Sequence, residues 1–157
     1  MAKIERKYLA HYINTADSGD AVYERLGKDL EEYSTELSAQ VDTKKNILGE
    51  TSVVISGYEK TGSIEPYYAE SGSGLFTKLQ TIIDDQLVLD QLKTDVVEVK
   101  LWEENGSGFP AYKDEVIIEV VSYGGDTTGY QIPFKLHYTG NRVKGSFNVD
   151  TKTFTAE

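Results

Sequence analysis

The chain has 157 residues, no cysteine, 26 acidic residues against 16 basic ones, and a net charge of −10 at pH 7. The lack of cysteine excludes disulfides and thiolate metal sites, and no apolar run approaches the ~18 residues of a membrane span. The negative excess lies in residues 29–115, with eighteen acidic and seven basic side chains; it disfavours binding to nucleic-acid phosphates and is equally typical of a solvated, solubilising surface.

The chain begins MAKIERKYLAHYI, which is charged but has no continuous hydrophobic core and is therefore not a signal peptide. We expect a soluble protein made in the cytoplasm. The rest of the N-terminal third holds strand-like pieces within VYERLGKDLEEY and ELSAQVDTKKNILGETSVV, separated by polar stretches. Its apolar residues are too sparse for a compact core, which is typical of an arm or a long hairpin that pairs with another subunit.

Strand formers continue through TSVVISGYEK, DVVEVKLW and DEVIIEVVSY, each of which predicts a β-strand. Between the first two, LFTKLQTIIDD breaks the pattern because its apolar residues recur at helical spacing. We therefore predict one α-helix, with Ser73 as its N-cap. Its packing face is predicted to comprise Leu75, Phe76, Leu79, Ile82 and Ile83.

GGDTTG, residues 124–129, has the glycines of a phosphate-binding loop but leads into another strand, not into a helix. A phosphate loop needs the N-terminal amides of a helix, so we interpret GGDTTG as a turn. The next strand, IPFKLHY, places Ile132, Phe134, Leu136 and Tyr138 on one face. TGNR then separates it from VKGSFNV, and two alternating runs around a Gly-Asn turn predict a hairpin.

Nothing in the chain has the pattern of an active site. His11 and His137 have no second ligand at a recognised metal spacing, and no nucleophile motif is present. We expect no cofactor, no metal and no reaction. Tyr67, Tyr68 and Trp102 could form a platform for a sugar or a peptide, although sheet tyrosines are more often half-buried at an interface.

The order of motifs resembles that of bacteriophage tail tube proteins. The resemblance lies in a tyrosine-bearing strand ending in Leu26-Gly27, an alternating run toward Glu36-Leu37-Ser38, and an "NIxGE"-like step from Asn46 to Glu50. It continues through a strand ending at residues 57–60, the LFTKLQTIID helix and the closing strands SYGGDTTGYQIPFKLHYTGNRVKGSF. Together these motifs cover most of the chain.

The resemblance implies a mainly β fold: an antiparallel β-sandwich or small barrel with one flanking α-helix and an extended loop or N-terminal arm. It implies a single domain over residues 1–157, an arm over about residues 1–20, and an inter-ring loop over about residues 34–49. Six copies would form a ring, and rings would stack with other tail proteins into a tube through which DNA passes unbound. Related tubes occur in contractile and non-contractile tails, R-type bacteriocins and type VI secretion systems.

On this resemblance the protein is a structural subunit of a virion tail, assembled in the bacterial host cytoplasm and not associated with a membrane. The candidates for inter-ring contact are Ser34, Glu36, Leu37, Val41, Lys44, Lys45, Ile47 and Leu48. The first alternative is a monomeric β-sandwich that binds carbohydrate through Tyr67, Tyr68 and Trp102. An acidic hydrolase is a more distant alternative.

Overall fold

The computed structural model describes residues 2–16, 19–27, 33–64, 67–103 and 108–157. Within these ranges the chain forms twelve strands, one α-helix and two short 3-10 turns, Arg6–Tyr8 and Leu89–Leu92. The helix is α1 (Gly74–Asp85). The strands, in chain order, are β1 (Leu9–Asn14), β2 (Tyr23–Leu26), β3 (Tyr33–Glu36), β4 (Ala39–Lys45), β5 (Thr51–Tyr58), β6 (Thr61–Ile64), β7 (Lys93–Lys100), β8 (Phe109–Val120), β9 (Gly124–Asp126), β10 (Gly129–Gln131), β11 (Phe134–Asn148) and β12 (Thr153–Ala156).

Eight strands form one antiparallel sheet in the order β2-β1-β7-β8-β11-β6-β3, with β12 paired to β11. Two pairs of strands lie outside this sheet: β4 with β5, and β9 with β10. The expectation of a mainly β, antiparallel fold with one flanking helix is confirmed. The GGDTTG segment is the β9–β10 hairpin, as the turn interpretation predicts, and Gly124 and Gly125 have positive φ angles of 143° and 133°.

The sheet is strongly curled. A flat path of seven strands would separate its edges by roughly 29 Å, whereas the chain from Leu26 at the end of β2 to Tyr33 at the start of β3 spans at most about 25 Å. The rings of His11 on β1 and Tyr33 on β3 lie 4.6 Å apart, edge to face, although four strands separate β1 from β3 in the sheet. The curled sheet is a half-barrel, and His11 and Tyr33 meet on its inner face.

Apolar residues fill both faces of the sheet. On the inner face, α1 packs over Ile13, Val96, Val116 and Leu136, all of them buried. On the outer face, a second cluster contains Tyr12, Val97, Ala111 and Phe147, also buried. Because Val96 and Val97 are consecutive residues of β7, they point to opposite faces, and both are fully buried.

The helix begins where the sequence predicts. Ser73 accepts a hydrogen bond through Oγ from the Phe76 amide (3.4 Å), as an N-cap residue does. Ser73 Oγ also donates to the Glu24 carboxylate (2.8 Å), which accepts a second hydrogen bond from the Leu75 amide (3.0 Å). Glu24 on β2 therefore places a negative charge at the positive end of the helix dipole and fixes α1 to the sheet.

The predicted hairpin around TGNR is wrong. Residues 134–148 form one strand, β11, which pairs with β8 along its length. Tyr138 pairs with Val116 and Arg142 with Asp114, so two extra residues of β11 form a bulge that contains Gly140 at φ 97°. The apolar residues change from even to odd numbers across the bulge because the first half of β11 packs on the inner face and the second half on the outer face.

The N-terminal third contributes to the core, which corrects a second expectation. The predicted arm over about residues 1–20 includes β1, whose Ala10 to Ile13 are buried between β2 and β7. Tyr23, Leu26 and Tyr33 are buried as well. Leu26 and Tyr33 belong to the inner cluster and Tyr23 to the outer one, so this part of the chain contributes to both. Residues 28–32 of the alternating run lie outside the described residues.

Candidate assembly surface

A β-hairpin extends beyond the sheet at its β3–β6 edge. The β3–β6 pairing ends at Glu36 opposite Thr61, and the β4–β5 pairing begins at Ala39 opposite Tyr58. Ser38, at φ 42°, lies between these two ladders, and its carbonyl accepts a hydrogen bond from the Glu59 amide (3.2 Å). Among the described strands, β4 and β5 pair only with each other, so the seven residues of β4 extend roughly 20 Å beyond the sheet.

One face of the β4–β5 hairpin carries more apolar side chains than the other. Val41 pairs with Ile55, and Thr43 with Val53, so these four side chains share a face. Their apolar members are strongly exposed, at 55% for Val41, 53% for Ile55 and 63% for Val53. The opposite face carries one exposed apolar side chain, Val54, beside the polar Asp42, Lys44 and Ser52. A contiguous exposed apolar surface of this kind marks a site of protein association.

The turn of the hairpin is ordered and presents two more apolar side chains. Asn46 Oδ1 accepts hydrogen bonds from the amides of Leu48 and Glu50, both at 3.0 Å. Gly49 takes the positive φ of 83° that closes the turn. Ile47 and Leu48, which lie between Asn46 and Gly49, are 102% and 77% exposed. Because the Asn46 hydrogen bonds organise this turn locally, the two side chains are held outward in solvent.

Charged residues on the inner face hold the base of the hairpin. Lys60, which follows β5, lies 3.7 Å from a Glu98 oxygen and 3.9 Å from an Asp114 oxygen. Arg142 reaches the same two carboxylates at 3.1 and 3.8 Å. The Lys60 ammonium also lies 4.6 Å from the centre of the Tyr138 ring. These contacts connect the hairpin base to β7, β8 and β11.

Burial controls ionisation in this cluster. His11 is 3% exposed, and its burial lowers its pKa from 6.5 to about 4; Glu98 opposes the shift, whereas Arg6 and Lys60 add to it. Burial raises the pKa of Asp114, and the neighbouring Arg142 and Lys60 only partly offset this. The Tyr33 and Tyr138 hydroxyls are 2.8 Å apart, and burial raises both of their pKa values. At neutral pH the cluster holds a neutral His11 and two neutral tyrosines.

Comparison with known proteins identifies the architecture. No protein-family model matches the chain, and no curated protein matches it. Among solved structures, the SPP1 tail tube, determined by solid-state NMR and cryo-electron microscopy, matches with a TM-score of 0.67 at 12% sequence identity. The match covers 93% of this chain and 81% of that chain. The fold is that of a phage tail tube protein.

On this tail tube fold, the residues predicted for inter-ring contact divide into two groups. Ser34 and Glu36 belong to β3 and pair with β6 in the main sheet. The other six lie on or next to the projecting hairpin, and all are exposed: Leu37, Val41, Lys44, Lys45, Ile47 and Leu48. The segment predicted as a loop, residues 34–49, contains the whole of strand β4.

The sequence does not predict that β5, the strand paired with β4, belongs to this exposed surface. Val53, Ile55 and Tyr58 on β5 are all more than half exposed, but TSVVISGYEK was read only as a further strand. The continuous apolar run from Val53 to Ile55 predicts a strand with apolar side chains on both faces. What the run does not show is whether a neighbouring element of the same chain covers either face.

The predicted helix face lies against the inner core. Leu75, Leu79 and Ile82 are buried, while Phe76 and Ile83 are partly buried and pack against the same cluster. Tyr67 is also in this core, 3% exposed and edge-on to Phe134 with ring centres 5.9 Å apart. Because the Tyr67 ring is covered, it is not available to the sugar-binding platform of the alternative hypothesis.

Neither histidine is part of a metal cluster: the described residues contain no group of three or more His, Cys, Asp or Glu side chains that could hold an ion. His137 is half-buried, and its Nε2 lies 2.8 Å from a Glu119 oxygen. Among the helices of the described chain, none has the length and apolar character needed to span a membrane.

Proposed function

We propose that the protein is the tube subunit of a phage or phage-like tail. Its copies form hexameric rings, which stack with other tail proteins into a tube in the virion, and the subunits assemble in the cytoplasm of the bacterial host. The observation that carries the proposal is the β4–β5 hairpin, an ordered element with an uncovered apolar face on a tail tube fold. The role is structural, with no reaction and no cofactor.

The energetics favour a second protein surface over the hairpin. Fully burying one Val or Ile side chain stabilises by about 1.5–3 kcal/mol, so covering Val41, Val53 and Ile55 contributes several kcal/mol to an association. The edges of the main sheet provide a second route. Strands β2 and β3 are its edges, and unpaired edges can join strands of adjacent copies, which would close a ring.

The test is electron microscopy of concentrated purified protein, in which we expect rings or tubes. Val53→Lys places a charge on the apolar face of the hairpin and should abolish assembly. Ser52→Lys is the matched control because it adds the same charge to the adjacent residue, on the opposite face. Both variants should melt like the unmodified protein. Monomers at every concentration, or equal effects of the two substitutions, would contradict the proposal.

A deletion confined to the hairpin is a second test of the assembly surface. Removing residues 34–49 would delete β3 residues that pair with β6, and so damage the sheet itself. Val41 and Ile55 are directly opposed, so an Asn-Gly turn can replace residues 42–54 and close the shortened hairpin. This variant should keep its cooperative melting transition and lose assembly. Unfolding of the variant would show that the hairpin stabilises the subunit itself.

A tube of this kind serves as a conduit for DNA, and the acidic middle of the chain supports that role. Residues 29–115 carry an excess of eleven negative charges, which disfavours adsorption of a polyanion. Duplex DNA should therefore show no affinity for tubes even at ~0.01 M salt, where electrostatic interactions extend to roughly 30 Å. Tight DNA binding that weakens as salt rises would indicate a cationic track and would contradict the conduit role.

A further inference from the structure

A groove between the end of α1 and the end of β8 has the properties of a docking site. Its volume is about 380 Å³, and its apolar lining includes Ile82, Leu87, Leu92 and Val120. Val121 and Tyr123, which also line it, are 47% and 64% exposed. Like the β4–β5 hairpin, this groove leaves apolar side chains in solvent.

The last turn of α1, next to the groove, is negatively charged. Asp84 and Asp85 form the last turn of α1, and that turn contains no basic residue. The C-terminal end of a helix dipole is negative and disfavours adjacent carboxylates. Both aspartates are exposed, and across the part of the chain that the structure describes neither is in an ion pair. This end of α1 would therefore be stabilised by a cation from outside the subunit.

The tip of the β4–β5 hairpin is apolar, like the lining of this groove, and opposite in charge to the adjacent end of α1. Ile47 and Leu48 project from the turn, and Lys44 and Lys45 immediately precede it on β4, all exposed. Neither lysine forms an ion pair within the described residues. The tip does not occupy the groove of its own chain, because Ile47 is 102% exposed.

We propose that the hairpin tip of one copy inserts Ile47 and Leu48 into the α1–β8 groove of a second copy, where Lys44 and Lys45 meet Asp84 and Asp85. This rests on the proposed tube function and identifies the surface that receives the hairpin. Tip and groove are different surfaces, so the contact is heterologous, and each copy can both donate a tip and accept one. Such contacts generate closed rings or open filaments.

Cross-linking tests the contact directly, since the chain has no cysteine of its own. The double variant Leu48→Cys with Tyr123→Cys, treated with a short bismaleimide under assembly conditions, should give a ladder of covalent multimers on a denaturing gel. Each single variant should give at most dimers. The matched control joins Leu48→Cys with Thr153→Cys, an exposed position on β12, and should give no ladder.

Charge exchange provides a second measurement. Lys44→Glu with Lys45→Glu, or Asp84→Lys with Asp85→Lys, should raise the concentration needed for assembly by roughly tenfold at low salt. Combining all four substitutions should restore most of the loss.

The outcomes separate this inference from the function it rests on. If the unmodified protein forms tubes but the Leu48–Tyr123 pair gives no ladder, the groove is not the receiving surface, while the tube function stands. The same conclusion would follow if the variant with all four charge substitutions assembled no better than the variants with two. If the unmodified protein forms no assembly at any concentration, both proposals fail.

Discussion

Replacing His11 with phenylalanine should remove an acid sensitivity built into the inner face. The imidazole is buried, neither ring nitrogen has a hydrogen-bond partner among the described residues, and its pKa is lowered from 6.5 to about 4. His11→Phe keeps a ring against Tyr33 and eliminates the titration. Because no hydrogen bond is lost, the substitution should be neutral or stabilising at pH 7.5.

The direction of the pH effect on stability follows from the pKa of His11 in the unfolded chain, 6.5, and in the folded chain, about 4. Above pH 6.5, His11 is neutral in both the folded and the unfolded chain, and the full stability is present. As pH falls below 6.5, the unfolded chain binds a proton that the folded chain does not bind until pH approaches 4. The free energy of unfolding should therefore fall by about 2 kcal/mol between pH 7.5 and pH 5, and by about 3 kcal/mol below pH 4.

Urea denaturation, followed by circular dichroism at low protein concentration, measures this effect. With a slope of about 2 kcal/mol per molar urea, the midpoint of the unmodified protein should drop by about 1 M between pH 7.5 and pH 5 relative to that of His11→Phe. The difference between the two proteins isolates His11 from Asp114, whose raised pKa acts in the opposite direction: protonation of the folded Asp114 adds stability as pH falls. Parallel pH profiles for the two proteins would refute the reasoning.

Two further substitutions test the attachment of α1. Leu79→Ala removes a fully buried side chain and should lower the free energy of unfolding by about 2–5 kcal/mol. Phe76→Ala should have a smaller effect because Phe76 is only partly buried. If urea denaturation showed the larger loss of stability for Phe76→Ala, Phe76 would lie deeper in the core than Leu79. Glu24→Gln removes the charge at the helix N-terminus but keeps the side chain's size, and should lower stability by about 0.3–1 kcal/mol. A melting temperature unaffected by Glu24→Gln across a salt series would show that the charge of Glu24 does not stabilise α1.

The sequence predicted the local elements but not their partners. The alternation of Phe134, Leu136 and Tyr138 predicts a strand and its buried face, and the helical spacing from Leu75 to Ile83 predicts α1. Alternation does not identify the neighbouring strand. The exposed TGNR segment therefore looked like a hairpin turn, whereas it forms a bulge opposite a continuous β8.

The assembly surface was harder to predict for the same reason. TSVVISGY has the composition of a core strand, yet within the part of the chain that the structure describes β5 pairs only with β4 and is exposed along nearly its whole length. Exposure depends on the tertiary fold. In this case the β4–β5 pairing begins after Ser38, beyond the end of the β3–β6 pairing, where the main sheet no longer covers it. The α1–β8 groove is formed by two separate segments of the chain, residues 82–92 and 118–123, and no local pattern indicates it.

The salt dependence of assembly should separate two electrostatic effects of opposite sign. Each chain carries a net charge of −10, so whole subunits repel each other at low salt. Raising salt from ~0.01 to ~0.15 M shortens the screening length from roughly 30 to 8 Å, which removes most of that repulsion while direct ion pairs between Lys44, Lys45, Asp84 and Asp85 persist. Towards ~1 M the screening length falls to about 3 Å, and the ion pairs weaken as well.

The concentration needed for assembly, measured by sedimentation, should therefore be lowest at intermediate salt. The Lys44→Glu and Lys45→Glu variant lacks the attractive pairs, so its assembly should improve steadily as salt rises. If the unmodified protein instead assembled best at ~0.01 M salt, attraction between charged surfaces would outweigh the repulsion of the net charge. The lysines at the tip would then be a dominant driving force, and burial of Val41, Val53 and Ile55 a secondary one.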